Sequence, residues 1–409
     1  MRSVHDQLAA VLAAARPVAP LDVVLGDCVG CVLAETVSAP SDVPSADVAT
    51  CDGYAVRTVD VGLAPEGAAG GDAPADAVLP VVEDAPVTAS APVRLVAGSA
   101  VHVASGAPLP HGADAVVPLE RTDRGRARVV VRGGARPGEH VRRAGHDVAA
   151  GQVLLEEGTR LGARHLSVAA TAGRARLRVH PRPRVVVVTV GDELVAPGRR
   201  RADGGVHDAV GNALAAGVAE AGATAVRVGP VGDDRAALRE VIEDQLVRAD
   251  LLLIAGGLST GPWDTVTDVL APLGTVRFDH VAMVPGDRQG FGTVDDVPVL
   301  ALPGRPVAAL VSFEVFVRPA LRAMAGHADL FRPSVRAAVT HPWRSPAGLR
   351  QFVPATVAGS PLDGYTVTPL GRDDVALSDV ARANALAVVG EDTTVVRAGD
   401  TLACLVLGD

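Results

Sequence analysis

The chain has 409 residues, of which 48% are hydrophobic and 21% charged, with a mean hydropathy of +0.27. That apolar content can bury real cores and excludes a disordered chain, and at about 150 residues per domain the length suggests two to four domains. Net charge is 38 − 47 = −9 with 2% aromatics, which argues against general nucleic-acid binding, and every basic residue is arginine. With no lysine, a P-loop lysine, a Schiff-base lysine and a Ser–Lys dyad are excluded.

The first element is a helix. Ser3 stands as its cap with Asp6 three residues on, and Val4, Leu8, Val11 and Leu12 share one face. His5, Asp6 and Gln7 occupy the place of a signal peptide's positive region, so the expected location is the cytoplasm. Cys28 and Cys31 form a lone C-x-x-C with no second pair or nearby histidine, and read as small apolar residues. Residues 45–140 carry short runs such as "AVHVAS", "DAVVPLE" and "ARVVVRGG" between turn signals, which predict a small β domain. Segment 139–180 adds short strands and a helix near "ARHLSVAATAG".

From residue 183 strands and helices alternate: "RPRVVVVTVGDEL", "VGNALAAGVAEAG", "ATAVRVGPV", "DRAALREVIEDQLVRA", "DLLLIAGG", "DTVTDVLAPLG", "VPVLALPG" and "PVAALVSFEVFVRPALRAM". Continuous apolar strands between helices predict a parallel α/β sheet. The longest apolar stretch is interrupted by Glu314, and nothing approaches the ~20 residues of a membrane helix. The tail from about 330 returns to short strands, "AAVTHPW", "GYTVTPL", "ALAVVG" and "TLACLVL". The predicted class is α/β plus β, multidomain, with no internal repeat.

In parallel sheets ligands gather beyond the carboxyl ends of the strands. Three such ends carry glycines: "TVGDEL", "AGGLSTGPWD" and "LPGRPV". Such loops bring backbone N–H groups to an anion, and Asp192, Glu193 and Asp264 beside them suggest help from a divalent metal. No G-x-G-x-x-G is present. Gly257-Leu258-Ser259-Thr260-Gly261 matches G-x-S-x-G, but Pro262 and Trp263 follow where a hydrolase elbow would run into its helix. Asp52 in "CDGYAVR" fits a turn as well as a site, and "RRAGHD" fits a solvated loop as well as a site with Asp147.

Taken in order, "DVPSADVATCDGYAVR", "VASGAPLPHGADAVV", "HVRRAGHDV", "VVVVTVGDEL", "LLLIAGGLSTGPWD", "VAMVPG" and "LALPGRPVAALVSF" resemble the molybdopterin molybdenumtransferase family, from about residue 3 to 404. The resemblance implies an elongated body (1–47 and 139–180), an inserted β domain (48–138), a molybdopterin-binding α/β domain (181–326) and a C-terminal β domain (327–409). It implies a homodimer, a molybdopterin adenylyltransferase as possible partner, and neither nucleic acid nor membrane. The implied reaction splits adenylylated molybdopterin, releases AMP and inserts molybdate, with Mg²⁺. Position by position it implies Asp52, Asp147 and Asp264 as catalytic. Substrate contacts fall on Ser105, Gly106, Asp208, Gly256, Gly257, Ser259, Gly261, Pro303, Gly304, Arg305, Arg350 and Ser378. Glu193, Asp233 and Asp264 are the metal carboxylates, with Asp234 beside Asp233.

This chain departs from the family at its anion-binding positions. The two "KPGKP" lysines fall on Val284 and Asp287, the "LPGNP" asparagine on Arg305, the "DSN" asparagine on Val210, the second arginine of "GR-x-x-F-x-R" on Pro354, and a Gly-Ser on Asp373-Asp374. Aspartate for lysine beside an anion reverses a favourable Coulomb interaction. Arg305 and Arg288 are the candidates to restore positive charge, and pairing of Arg305 with Asp287 is the bland alternative for the former. Two other functions stay open on sequence: a paralogue that binds a phosphorylated ligand without metal insertion, and a serine hydrolase using Ser259.

Overall fold

The computed structural model describes residues 1–64, 74–88, 94–259, 261, 264–371 and 375–408. They form two units: Met1–Glu35 with Gly158–Gly162 and Arg176–Asp409, and Thr36–Glu157 with Ala163–Ala175.

The first unit is organised by a six-stranded sheet in the order Thr224–Val231, Arg184–Val190, Leu251–Gly256, Val297–Leu302, Arg288–Val294, Arg277–His280. The first four strands are parallel, as expected, but the last two run antiparallel. These two strands are not among those expected from the sequence, and the cause of their antiparallel pairing is local. Only Asp295 and Asp296 separate strands Arg288–Val294 and Val297–Leu302, and both adopt positive φ (48° and 64°). A two-residue link of that conformation makes a hairpin, whereas parallel neighbours need a long crossover.

Alternation along the central strands feeds two cores. Val185, Val187, Leu251 and Leu253 face one side, with Leu214, Val218, Phe313, Phe316 and Leu321. Val186, Val188, Leu252 and Ile254 face the other, with Leu238, Ile242, Val266 and Leu270. A strand buried on both faces cannot alternate apolar with polar, which is why "VVVV" and "LLLI" are continuous. The first helix, Val4–Ala14, has the expected cap: Asp6 N donates to Ser3 Oγ at 3.0 Å. Val4 and Val11 enter the core, while Gln7 is also buried and Leu8 only half-buried. The helix expected over 306–324 is interrupted by a π-helical turn, Phe313–Val317, between Pro306–Ser312 and Arg318–Met324.

The tail closes into a barrel. Strands Arg350–Ser360, Gly364–Pro369, Ser334–Val339, Thr401–Val406 and Ala385–Val389 pair in that order, and the last pairs back to the first. Closure removes the free edges that short strands would otherwise expose. Small side chains such as Ala337, Val353, Ala355, Val367 and Ala387 fill the interior. Strand Arg350–Ser360 was not anticipated; it contains Pro354 and Gly359, residue types that ordinarily weaken a strand. Met283–Val284, from the α/β part, pairs in parallel with Arg350 and Gln351 and so ties the barrel to the sheet.

The second unit holds a five-stranded sheet, Ala115–Pro118, Gly53–Val56, Ala100–Val103, Ala77–Ala85 and Arg128–Val131, matching the runs read as β structure. Its described helices include Ala163–Thr171 and the short Thr58–Val61. In the first unit, Cys28 and Cys31 are free and buried, and burial pushes both thiols up. Both observations fit packing rather than redox or metal use. No helix among the described residues is long and apolar enough to cross a membrane.

His327, 9% exposed, is held down at about 4 by burial and then by Arg322, Arg160 and Arg318. Its native pKa lies below the unfolded value of 6.5, so the unfolded chain binds the extra proton. This contribution is complete above about pH 6.5 and is lost as pH falls toward 4, by about 3 kcal/mol in all. His327→Gln should therefore lose less stability than wild type in urea titrations across that window. Equal losses in the two proteins would contradict the assignment.

Candidate functional site

Register brings the three glycine loops together. Val190 pairs with Gly256, and Ala255 with Leu302, so three adjacent parallel strands end nearly level. The approach is close enough to demand glycine. A Cβ on Gly256, where φ is +90°, would lie 2.3 Å from Val190 O. A Cβ on Gly257 (φ +62°) would meet Val266 Cγ2 at 2.6 Å, and one on Gly304 would stand 3.1 Å from Gly256 Cα.

The carboxylates around these loops are held by the protein. Asp192 and Asp233 brace each other: Asp192 N donates to Asp233 Oδ2 (3.1 Å) and Asp233 N to Asp192 Oδ1 (3.0 Å). Thr265 Oγ1 adds a bond to Asp233 Oδ1 at 3.2 Å. Asp234 caps helix Arg235–Leu246 by accepting from Ala237 N at 2.7 Å. Glu193 is exposed and folds back over Gly191, where a Cβ would meet its Oε2 at 2.5 Å. Asp264 caps helix Thr265–Leu270 and is ion-paired to Arg288. Asp208 is 1% exposed and saturated, by Thr189 Oγ1 (2.9 Å), Gly211 N (2.8 Å) and Arg227 Nη2 (3.0 Å). Its carboxylate fixes the start of helix Val210–Glu220 from inside.

The expected metal trio does not assemble: among the described residues no three His, Cys, Asp or Glu side chains come close enough to hold an ion. Asp264 answers Arg288, and Asp233 answers Asp192 and Thr265. Mg²⁺ needs no such cage, since it is commonly carried by one or two carboxylates plus substrate phosphates.

A cavity of about 1210 Å³ lies against the Pro303–Arg305 loop, within the first unit. One wall is Val284, Asp287, Arg288 and Arg305; the other is His341, Trp343, Arg344, Gln351 and Leu377 from the barrel and its connections. The two positions where the family has lysine, Val284 and Asp287, thus line it. Asp287 Oδ2 accepts from His280 Nδ1 at 2.9 Å. Arg288 is committed to Asp264, which removes it as a freely available substitute for lysine. Arg305, at the N-cap of Pro306–Ser312, and Arg344 are both exposed and line the cavity together with Arg288.

Arg350 also faces a carboxylate, Glu391, at 3.1 Å, and Ser378 is exposed in the first turn of helix Leu377–Arg382. Ser259 Oγ accepts from Gly261 N at 3.1 Å, and no histidine hydrogen-bonds it among the described residues. Its hydroxyl shapes the loop, and the base a serine nucleophile requires is not supplied. Thr260, Pro262, Trp263 and Asp373-Asp374 lie outside the described residues.

In the second unit, Asp52 Oδ1 accepts from Ser105 N at 2.7 Å, and Ser105 Oγ donates to Thr50 O at 3.2 Å. Gly106 turns at φ +86° beside them. These sequence-distant positions form one cluster, so Asp52 is not a simple hairpin turn. Asp147 pairs with Arg142 at 3.2 Å in an exposed loop. Sequence reading missed the barrel's wall of the cavity. Its one available signal was Trp343, one of two tryptophans in the chain, whose Nε1 donates to Gln351 Oε1 at 3.0 Å.

Fold and site together define a multidomain α/β and β-barrel protein with an arginine-flanked cavity at a sheet's carboxyl edge. Three family descriptions match it in order: MoeA N-terminal region (domain I and II) over residues 2–173, probable molybdopterin binding domain over 186–323, and MoeA C-terminal region (domain IV) over 336–407. Molybdopterin molybdenumtransferase 1 of Mycobacterium tuberculosis (strain ATCC 25618 / H37Rv) is 41% identical over 415 residues, covering 98% of this chain and 97% of the relative. Molybdopterin molybdenumtransferase 2 of the same strain is 39% identical over 412 residues, with 98% of each covered. The crystal structure of a molybdopterin biosynthesis MoeA protein from Pyrococcus horikoshii superposes with TM-score 0.81 at 27% identity, covering 100% of this chain and 99% of that one. The chain belongs to the molybdopterin molybdenumtransferase family, whose members are enzymes of molybdenum cofactor biosynthesis.

Because the loops meet through glycines, Gly256→Ala should destabilise the chain by about 2 kcal/mol or more in denaturant unfolding. Gly26→Ala, where a Cβ would meet nothing within 4 Å, is the control and should change little. Equal effects at the two sites would contradict the close approach.

Proposed function

We propose that this enzyme inserts molybdate into adenylylated molybdopterin and releases AMP. The observation that carries the reading is the large cavity beside Pro303–Arg305, whose described lining holds three arginines, Arg288, Arg305 and Arg344, and one carboxylate, Asp287. Arg305 and Arg344 bind and orient the incoming oxyanion and the phosphate end of the substrate, and a planar guanidinium can grip either with two parallel hydrogen bonds. The backbone of Gly256, Gly257 and Gly304 lets the substrate approach without side-chain obstruction. Ser259 and Gly261 hold that loop's shape, and Pro303, Arg350 and Ser378 complete the proposed substrate surface.

Asp264 keeps Arg288 in place, and Asp208 keeps Thr189 and the following loop in place. Asp52 with Ser105 and Gly106, and Asp147, are the proposed contributions of the N-terminal region. Mg²⁺, when bound, screens the diphosphate's charge; Glu193, Asp233 and Asp264 are its proposed carboxylates, used singly or in pairs with substrate oxygens. The proposed domain division is 1–47 with 139–180, 48–138, 181–326 and 327–409. The proposed working form is a cytoplasmic homodimer supplied by a molybdopterin adenylyltransferase.

The gene should restore nitrate reductase activity to a strain lacking its own transferase. A soluble, folded product that fails would favour the paralogue that binds a phosphorylated ligand without inserting metal. Arg305→Asn should weaken calorimetric binding of AMP or molybdate by roughly 2 kcal/mol, the range of a charge-assisted hydrogen bond. Equal affinities in both proteins would remove Arg305 from the site.

A further inference from the structure

The most unusual charge arrangement lies outside the cavity, where the π-helical turn Phe313–Val317 joins helix Arg318–Met324. Arg318 and Arg322 are four residues apart on that helix and share a face. Arg332 returns to the same place and grips Glu314 at two points, Nε to Oε2 at 3.0 Å and Nη2 to Oε1 at 3.1 Å. The side chains of Arg332, Arg318 and Glu314 are only 6%, 10% and 14% exposed. Both oxygens of Glu314 are thus committed to Arg332.

Arg318 is left short of acceptors. Its Nε stands 3.9 Å from Glu314 Oε2, beyond hydrogen-bond reach, and its buried Nε and Nη1 have no hydrogen-bond partner among the described residues. Arg322 Nε donates to Asp329 O at 2.5 Å, a carbonyl that carries no charge. Glu220 approaches Arg332 Nη2 at 3.7 Å but is 66% exposed, and Asp329 is exposed as well. Among the described residues, Arg318 and Arg322 therefore have no buried carboxylate within hydrogen-bond reach, the nearest, Glu314, being gripped by Arg332. Exposed Arg160 lies near the same cluster, and burial first, then Arg322, Arg160 and Arg318, lower the His327 pKa to about 4.

Buried polar groups are normally hydrogen-bonded, and buried charges are normally compensated. A water molecule would satisfy the orphaned donors but leave the charge surplus; an anion answers both. We propose that the cluster of Arg318, Arg322 and Arg332 binds a small tetrahedral oxyanion of the phosphate type, with Arg318 Nε and Nη1 as principal donors. Guanidinium pairs suit such a ligand because their N–H groups match the spacing of its oxygens. None of these residues lines the cavity of the proposed reaction. The site is thus an addition to that function and stands without it.

Inorganic phosphate is the probe, on the full chain, by calorimetric titration and by thermal unfolding against sodium chloride of equal ionic strength. Phosphate should bind wild type and raise its unfolding midpoint, and Arg305→Asn, which weakens the cavity's own hold on an oxyanion, should keep a remaining phosphate site and a midpoint above the sodium chloride control. Arg318→Met should weaken this binding about tenfold or more. Arg322→Gln, at a half-buried position, makes the same comparison should Arg318→Met not fold, and should weaken binding in the same direction. Glu314→Gln removes the competing carboxylate and should tighten it. The proposal is overturned if wild type gains nothing over sodium chloride. It is equally overturned if the arginine variants bind as wild type does, or if Arg305→Asn alone abolishes the effect.

Discussion

The candidate site depends on three parallel strands ending at the same level and in near contact. Val190, Gly256 and Leu302 belong to neighbouring strands in register, and the chain leaves each strand through a glycine-containing turn. Any side chain at Gly256 would collide with Val190 O, so the loops could not then share one edge. Burial on both faces of these strands locks the register, because a one-residue slip would exchange the two cores. Stability and site geometry are therefore set by the same residues.

Charge around that edge is arranged as pairs. Asp264 takes Arg288, Asp287 takes His280, Arg350 takes Glu391, and Asp192 and Asp233 brace each other through backbone N–H groups. Pairing keeps carboxylates from repelling an incoming anion and holds loop conformations ready for it. Asp287, at a position where the resemblance implies lysine, accepts a hydrogen bond from His280 Nδ1 at 2.9 Å. Arg288, Arg305 and Arg344 line the cavity with a single described carboxylate, Asp287.

Much of the sheet and the placement of its loops was legible in the sequence. Continuous runs such as "VVVVTV" and "LLLIAG", each followed by glycine, encode doubly buried strands and open carboxyl ends in a few adjacent residues. The ordered motifs then carried the family. What remained hidden depends on long-range contacts or on exceptions to local rules. The antiparallel hairpin turns on two aspartates at positive φ, residues that do not demand that conformation. The longest barrel strand contains Pro354, tolerated although its partner strand is Ala385–Val389. The Arg288–Asp264 pair joins residues from two separate strand ends, and no spacing in the sequence predicts it. Asp208 was read as a ligand contact from its motif, whereas burial and three donors turn its carboxylate inward.

The central claim is that this cavity, without the family's lysines, still carries out metal insertion. The most direct measurement combines the purified protein with adenylylated molybdopterin and Mg²⁺, following AMP release with and without molybdate. The account predicts AMP release that requires molybdate, and a product that activates a cofactor-free nitrate reductase. Tight binding of the adenylylated substrate with no molybdate-dependent AMP release would contradict it.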